Sequence, residues 1–105
     1  MALNGSAAAA PAHLDAEVLS ALGRLSRAGE VEADDVPPML TVLARIPLLR
    51  YPLPPLLAAA WRLRANLALR DALYVLLARR LDATLITADA RLGRAPALGC
   101  ALLLV

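Results

Sequence analysis

The chain has 105 residues, 60% of them hydrophobic, and a formal net charge of +2, enough for one small domain with a single modest core and too short for two. Leu fills 25 positions and Ala 24, Phe is absent, and Trp61, Tyr51 and Tyr74 are the only aromatics. So much apolar content excludes general disorder, so few rings argue against binding nucleic acid by base stacking, and a charge of +2 does not by itself decide for nucleic acid.

Residues 1–12, MALNGSAAAAPA, have no large apolar residue after Leu3 and read as a flexible leader, with a single domain following over 13–105. No basic residue precedes an apolar segment there, so a secretory signal is not supported. The longest uncharged stretch, Met1 to Leu14, carries Asn4, Gly5, Ser6 and Pro11 and cannot serve as a bilayer span. From Leu14, the apolar positions Leu14, Val18, Leu22 and Leu25 recur at helical spacing, which predicts a first helix over Asp15 to Ala28 with Asp15 as N-cap and Gly29 as the stop. Asp35 ahead of Pro37 and Pro38 opens a second helix through Met39, Leu43 and Ile46, closed by Pro47. Leu48–Leu53 can form a short strand, weakened by Pro52. Pro54 and Pro55 start a third helix that ends near Asn66.

A fourth helix is expected over Ala68 to Leu81, burying Leu69, Leu73, Leu76, Leu77 and Leu81 and turning Arg70, Arg79 and Arg80 outward. The period then changes. Residues 83–87, ATLIT, are a β-type run; residues 88–92 make a turn into a short helix; residues 101–105 are wholly apolar. Two apolar runs bracketing a helix imply parallel strands buried on both faces, so the fold class is α/β. All 11 basic residues are Arg, and they are uneven: residues 1–60 hold 4 Arg against 6 acids, residues 61–105 hold 7 Arg against 3. Cys100, alone, can form neither an intrachain disulfide nor a cysteine zinc cluster, which fits a reducing cytoplasm, and it reads as a small core residue.

Ligands of open α/β sheets bind beyond the carboxyl ends of the strands, where Thr87 and Asp89 fall. Asp89 also suits a helix cap, and Asp71, in the first turn of the fourth helix, suits the helix dipole. Glu17 lies off the leucine stripe of the first helix. His13 has no Cys or second His with which to share zinc, so a zinc role is not expected of it. Three carboxylates converging at one sheet edge, Glu17, Asp71 and Asp89, would bind Mg²⁺ or Mn²⁺, as metal-assisted phosphodiester hydrolysis requires.

At these residues a resemblance emerges. HLDAEVLSAL (13–22), NLALRDALYVLLA (66–78) and LITADARL (85–92), in that order, resemble three motifs of the PIN-domain ribonucleases, and among them the VapC toxins of bacterial toxin–antitoxin pairs. The resemblance covers about residues 11–105. It implies a three-layer α/β/α fold with a short parallel sheet and Glu17, Asp71 and Asp89 as metal-binding catalytic acids for Mg²⁺ or Mn²⁺. It further implies that Thr87 is the hydroxyl residue of the Thr-x-Asp motif and that Asn66 stands ahead of the catalytic helix. An RNA substrate, a cognate antitoxin, a homodimer and a cytoplasmic location follow from the same likeness.

One departure accompanies it. Domains of this kind open with an apolar, Asp-bearing strand in the middle of the sheet, and MALNGSAAAAPA contains no acid and no β-branched run. The expectation is a domain lacking its first, central strand, either a trimmed or mis-started active enzyme or a catalytically dead remnant that binds an antitoxin or a second copy of itself. A purely helical adaptor would require ATLIT and ALLLV to be helical.

Overall fold

A computed structural model describes residues 1–4, 7–87, 92 and 98–104, with backbone alone at 3, 4, 7 and 102–104. The chain divides into two compact units, Met1–Ala12 with Leu48–Val105, and His13–Pro47.

The smaller unit is a helical pair. Its first helix, α1, spans Leu14–Arg27, one residue ahead of the expected range, with His13 rather than Asp15 at the N-cap. Asp15 instead lies in the first turn, where its charge favours the helix dipole. The helix ends as its glycine predicts: Gly29, at φ +77, lets its own N–H reach the Ser26 carbonyl and the N–H of Glu30 reach that of Leu25, the paired closure of a Schellman motif. A 3₁₀ turn over Ala33–Asp35 leads into α2, Val36–Arg45, which carries its prolines in the first turn. Ile46 swings to ψ 131 ahead of Pro47, because the proline ring disfavours helical backbone in the residue before it.

The larger unit is built on a five-stranded sheet: β1 (Ala2–Asn4), β2 (Ala7–Pro11), β3 (Leu48–Tyr51), β4 (Thr84–Thr87) and β5 (Leu102–Leu104), in the order β3-β2-β1-β4-β5. β2 pairs parallel with β3, and β4 with β5; β1 runs antiparallel to both its neighbours, β2 and β4. Four strands therefore share one direction and the central one opposes them. Residues 2–4 and 7–11 are thus strands, not the loose leader their composition predicts. Alanine disfavours strands by local propensity, but β2 is paired along both edges, and such pairing outranks propensity. Its small side chains also permit close packing: Ala10 is fully buried, and Ala9 packs with Leu56, Ala60, Ala72, Leu73 and Leu77. The central place, reserved by the resemblance for an Asp-bearing strand, is held by the acid-free Ala-Leu-Asn of β1. Without it, β2 and β4 would each face an unpaired edge.

The helices α3 (Pro54–Arg62) and α4 (Leu69–Arg80) pack in this unit. The burial along α4 differs from the expected leucine stripe. Leu73 and Leu77 are buried, but so are Ala72, Val75 and Ala78, whereas Leu69 is exposed. The helix serves two clusters at once: Val75 and Ala78 pack with Ala2, Ala83, Leu85 and Leu92, while Ala72, Leu73 and Leu77 pack with Ala9, Leu56 and Ala60. A helix covered on two sides has no single apolar stripe. Among the described residues, Leu56, Leu77 and Leu85 are the largest fully buried side chains, each contributing about 1.5–3 kcal/mol of transfer free energy. The expected turn and short helix over 88–92 fall outside the described residues except for Leu92, which is buried. Among the described residues no helix is long and apolar enough to cross a membrane.

Candidate active site

Asp71 is placed by the start of α4. Ala68 is the N-cap and supplies no side-chain cap, so the first turn presents backbone N–H groups and a positive dipole end, which a carboxylate at the third helical position complements. Asp71 is half-buried, the residue after it fully buried, and the amide of Ala72 donates to the Ala68 carbonyl over 2.9 Å. The carboxylate therefore stands on a turn anchored by core packing.

Thr87 reaches the same end of the unit by topology. After α4 the chain reverses through Leu81–Ala83, with Asp82 at φ 49 and the amide of Ala83 donating to the Ala78 carbonyl, and β4 returns along the helix. Thr87 is the last residue of β4, half-buried and paired with Leu104, at the carboxyl edge where α/β sheets bind ligands. β2 leaves the sheet at this same edge, since β2 and β4 both oppose β1. Asn66 is exposed in the turn between α3 and α4, its amide donating to the Leu63 carbonyl over 3.0 Å. Asp89 lies outside the described residues.

Glu17 belongs to the helical unit. It sits in the first turn of α1, half-buried, with its amide bonded to the His13 carbonyl over 3.0 Å. Its Oε1 lies 3.3 Å from Nε2 of His13. The i, i+4 spacing sets the two residues one helical turn apart, and their rotamers bring the side chains together.

Asp71 offers carboxylate oxygens, the donors that a hard divalent cation prefers. Among the described residues, no three His, Cys, Asp or Glu side chains gather into a metal-binding group. Basic side chains are plentiful in the larger unit. Arg62, Arg64, Arg70 and Arg80 are exposed, Arg64 stacking 4.6 Å from the Trp61 ring centroid and Arg80 donating to the Pro55 carbonyl.

The PIN-domain family profile matches residues 2–98 of the chain. The chain belongs to the PIN-domain family. Its relatives include ribonuclease VapC3 of Mycobacterium tuberculosis, 52% identical over 86 residues, an alignment spanning 82% of this chain and 63% of that protein. Ribonuclease VapC1 of the same organism is 42% identical over 104 residues, covering 98% of this chain and 78% of the relative. Ribonuclease VapC12 is 36% identical over 93 residues, covering 88% and 71%. The PIN domain described here is therefore VapC-like, and the match to VapC3 spans less than two thirds of that relative. No solved structure matches the chain.

Proposed function

We propose that this PIN domain is a metal-dependent RNA endonuclease, the toxin of a VapC-like toxin–antitoxin pair acting in the cytoplasm. The observation that supports the reading is the position of Asp71, half-buried on the dipole-favoured first turn of α4, in the same unit as Thr87 at the carboxyl end of β4. The names of the VapC3, VapC1 and VapC12 ribonucleases support it.

In this reading Glu17, Asp71 and Asp89 hold Mg²⁺ or Mn²⁺. When bound, the ion activates water and neutralises the charge that grows on the phosphate. The remaining work falls to protein groups. The Thr87 hydroxyl and the Asn66 amide supply hydrogen bonds at the edge of the site. Arg62, Arg64 and Arg70 draw in the phosphate backbone, a term that weakens as salt rises. A cognate antitoxin would recognise the acidic site by charge complementarity. A homodimer would cover the apolar face of α3 and α4, where Leu57, Trp61 and Leu69 are exposed.

A second reading is favoured by β1. The central strand carries no carboxylate, so a catalytically dead domain that binds an antitoxin or its own copy is the alternative. Incubation of the purified protein with structured RNA, with Mg²⁺ and with the ion chelated, separates them. Mg²⁺-dependent cleavage is expected of the enzyme; intact RNA under both conditions identifies the binding module.

A further inference from the structure

We infer that the apolar groove between α3 and α4 receives residues 30–46 of a second copy of this chain; the inference rests on the proposed homodimer and names the surface that meets this face. Leu57, Ala60 and Trp61 of α3 and Leu69, Arg70 and Leu73 of α4 line the groove. Leu57, Trp61 and Leu69 are exposed there, and an exposed Trp is the kind of side chain that anchors an interface. The accompanying charges are all positive. Residues 54–70 contain Arg62, Arg64 and Arg70 and no acid. The Arg64 guanidinium lies 4.6 Å over the Trp61 ring centroid, and its Nη1 donates to the Trp61 carbonyl over 2.9 Å. That cation is held before any partner arrives, which lowers the entropy lost on binding.

What covers this face must therefore be apolar and acidic. The face is a poor cover for itself, because a two-fold contact of one patch with its own copy brings Arg beside Arg, and like charges across an interface oppose it. The matching charge lies in the same chain. The unit Met1–Ala12 with Leu48–Val105 holds 8 Arg against 3 acids, and His13–Pro47 holds 3 Arg against 6. Glu30, Glu32, Asp34 and Asp35 fall within one short run, with no basic residue over 28–44, and all four are exposed. Directly after them comes α2, which buries none of its side chains and exposes Met39 and Val42, three apart on one face, with Ile46 at its end. Arg45 closes the far end of this helix. Apolar side chains at helical spacing beside a run of acids complement an apolar groove beside a run of Arg.

Sedimentation velocity of the full chain over a range of concentrations tests the pairing, with circular dichroism confirming that each variant is folded. Glu32→Arg with Asp34→Arg reverses the acidic surface, and Arg62→Glu with Arg64→Glu reverses the basic one. Each pair is expected to weaken self-association by about tenfold or more. The four substitutions together are expected to restore it to within a few-fold of the parent, because opposite charges face each other again. Added salt should weaken parent and fourfold variant alike. Parent-like association in Glu32→Arg with Asp34→Arg, while Leu57→Asp with Trp61→Glu abolishes it, overturns the role of residues 30–46 and leaves the homodimer standing on another surface. Failure of the four substitutions to restore association overturns the pairing as well. A parent that sediments as a monomer at every concentration removes the homodimer, and the inference falls with it, leaving the face to a different chain.

Discussion

The Nε of Arg79, near the end of α4, donates to the backbone carbonyl of Leu98, tying the helix to the segment that enters β5. Gly99 sits beside it at φ +71, and a Cβ there would meet Arg79 Nε at 2.7 Å, so the Arg79 side chain would have to shift from this contact. Gly99→Ala therefore adds a left-handed backbone penalty to a collision, and is expected to destabilise the fold by about 1–3 kcal/mol. Urea unfolding checks this through the transition midpoint, and an unchanged midpoint contradicts it.

Beside this latch, burial pushes the Cys100 thiol above its ordinary 9.0, partly offset by the Arg79 guanidinium. A raised folded value means that the neutral thiol is favoured in the folded state. Its contribution to stability is complete below the unfolded pKa and is lost as pH rises through the folded one. Alkylation at pH 8 should accordingly be slower in the folded chain than in the same chain in urea. Equal rates would contradict the shift.

Asp82 is the non-glycine residue at positive φ among those described, at 49, and it turns the chain from α4 into β4. Asp tolerates this region better than β-branched residues do. Asp82→Gly is expected to be neutral or mildly stabilising and Asp82→Val to cost about 1–2 kcal/mol. Thermal melts of the two variants should move in these opposite senses.

The proposed homodimer has a specific face to lose. Leu57, Trp61 and Leu69 are 53%, 57% and 44% exposed and line, with Ala60, Arg70 and Leu73, a cavity of about 260 Å³. A paired Leu57→Asp and Trp61→Glu substitution places two charges in that face. Sedimentation velocity should show the parent as a dimer and the variant as a monomer. A dimer unaffected by the substitutions would place the interface elsewhere.

Much of this architecture was legible from residue order. Gly29, Pro47 and the prolines at 37, 38, 54 and 55 mark helix boundaries because each fixes or frees backbone independently of packing, and α2, α3 and β3 fall close to where they point. β4 and β5 follow from their apolar runs. β2 was illegible because Ala7–Ala10 has no strand preference of its own and acquires one from β1 and β3, partners distant in sequence or in place. The burial of Ala72, Val75 and Ala78 was missed for a related reason: a stripe read from leucines assumes one covered face, and α4 has two. Asp71 and Thr87 were legible as strand-edge and helix-start positions, whereas the contact between His13 and Glu17 is set by rotamers that spacing alone does not reveal.

If Asp71 serves metal-dependent RNA cleavage, its carboxylate sets the cleavage rate. Cleavage of structured RNA at saturating Mg²⁺ should fall by about a hundredfold or more in Asp71→Asn, an isosteric change that removes the charge while the folded state, followed by circular dichroism, persists. Cleavage by folded Asp71→Asn at the parent rate would contradict the account.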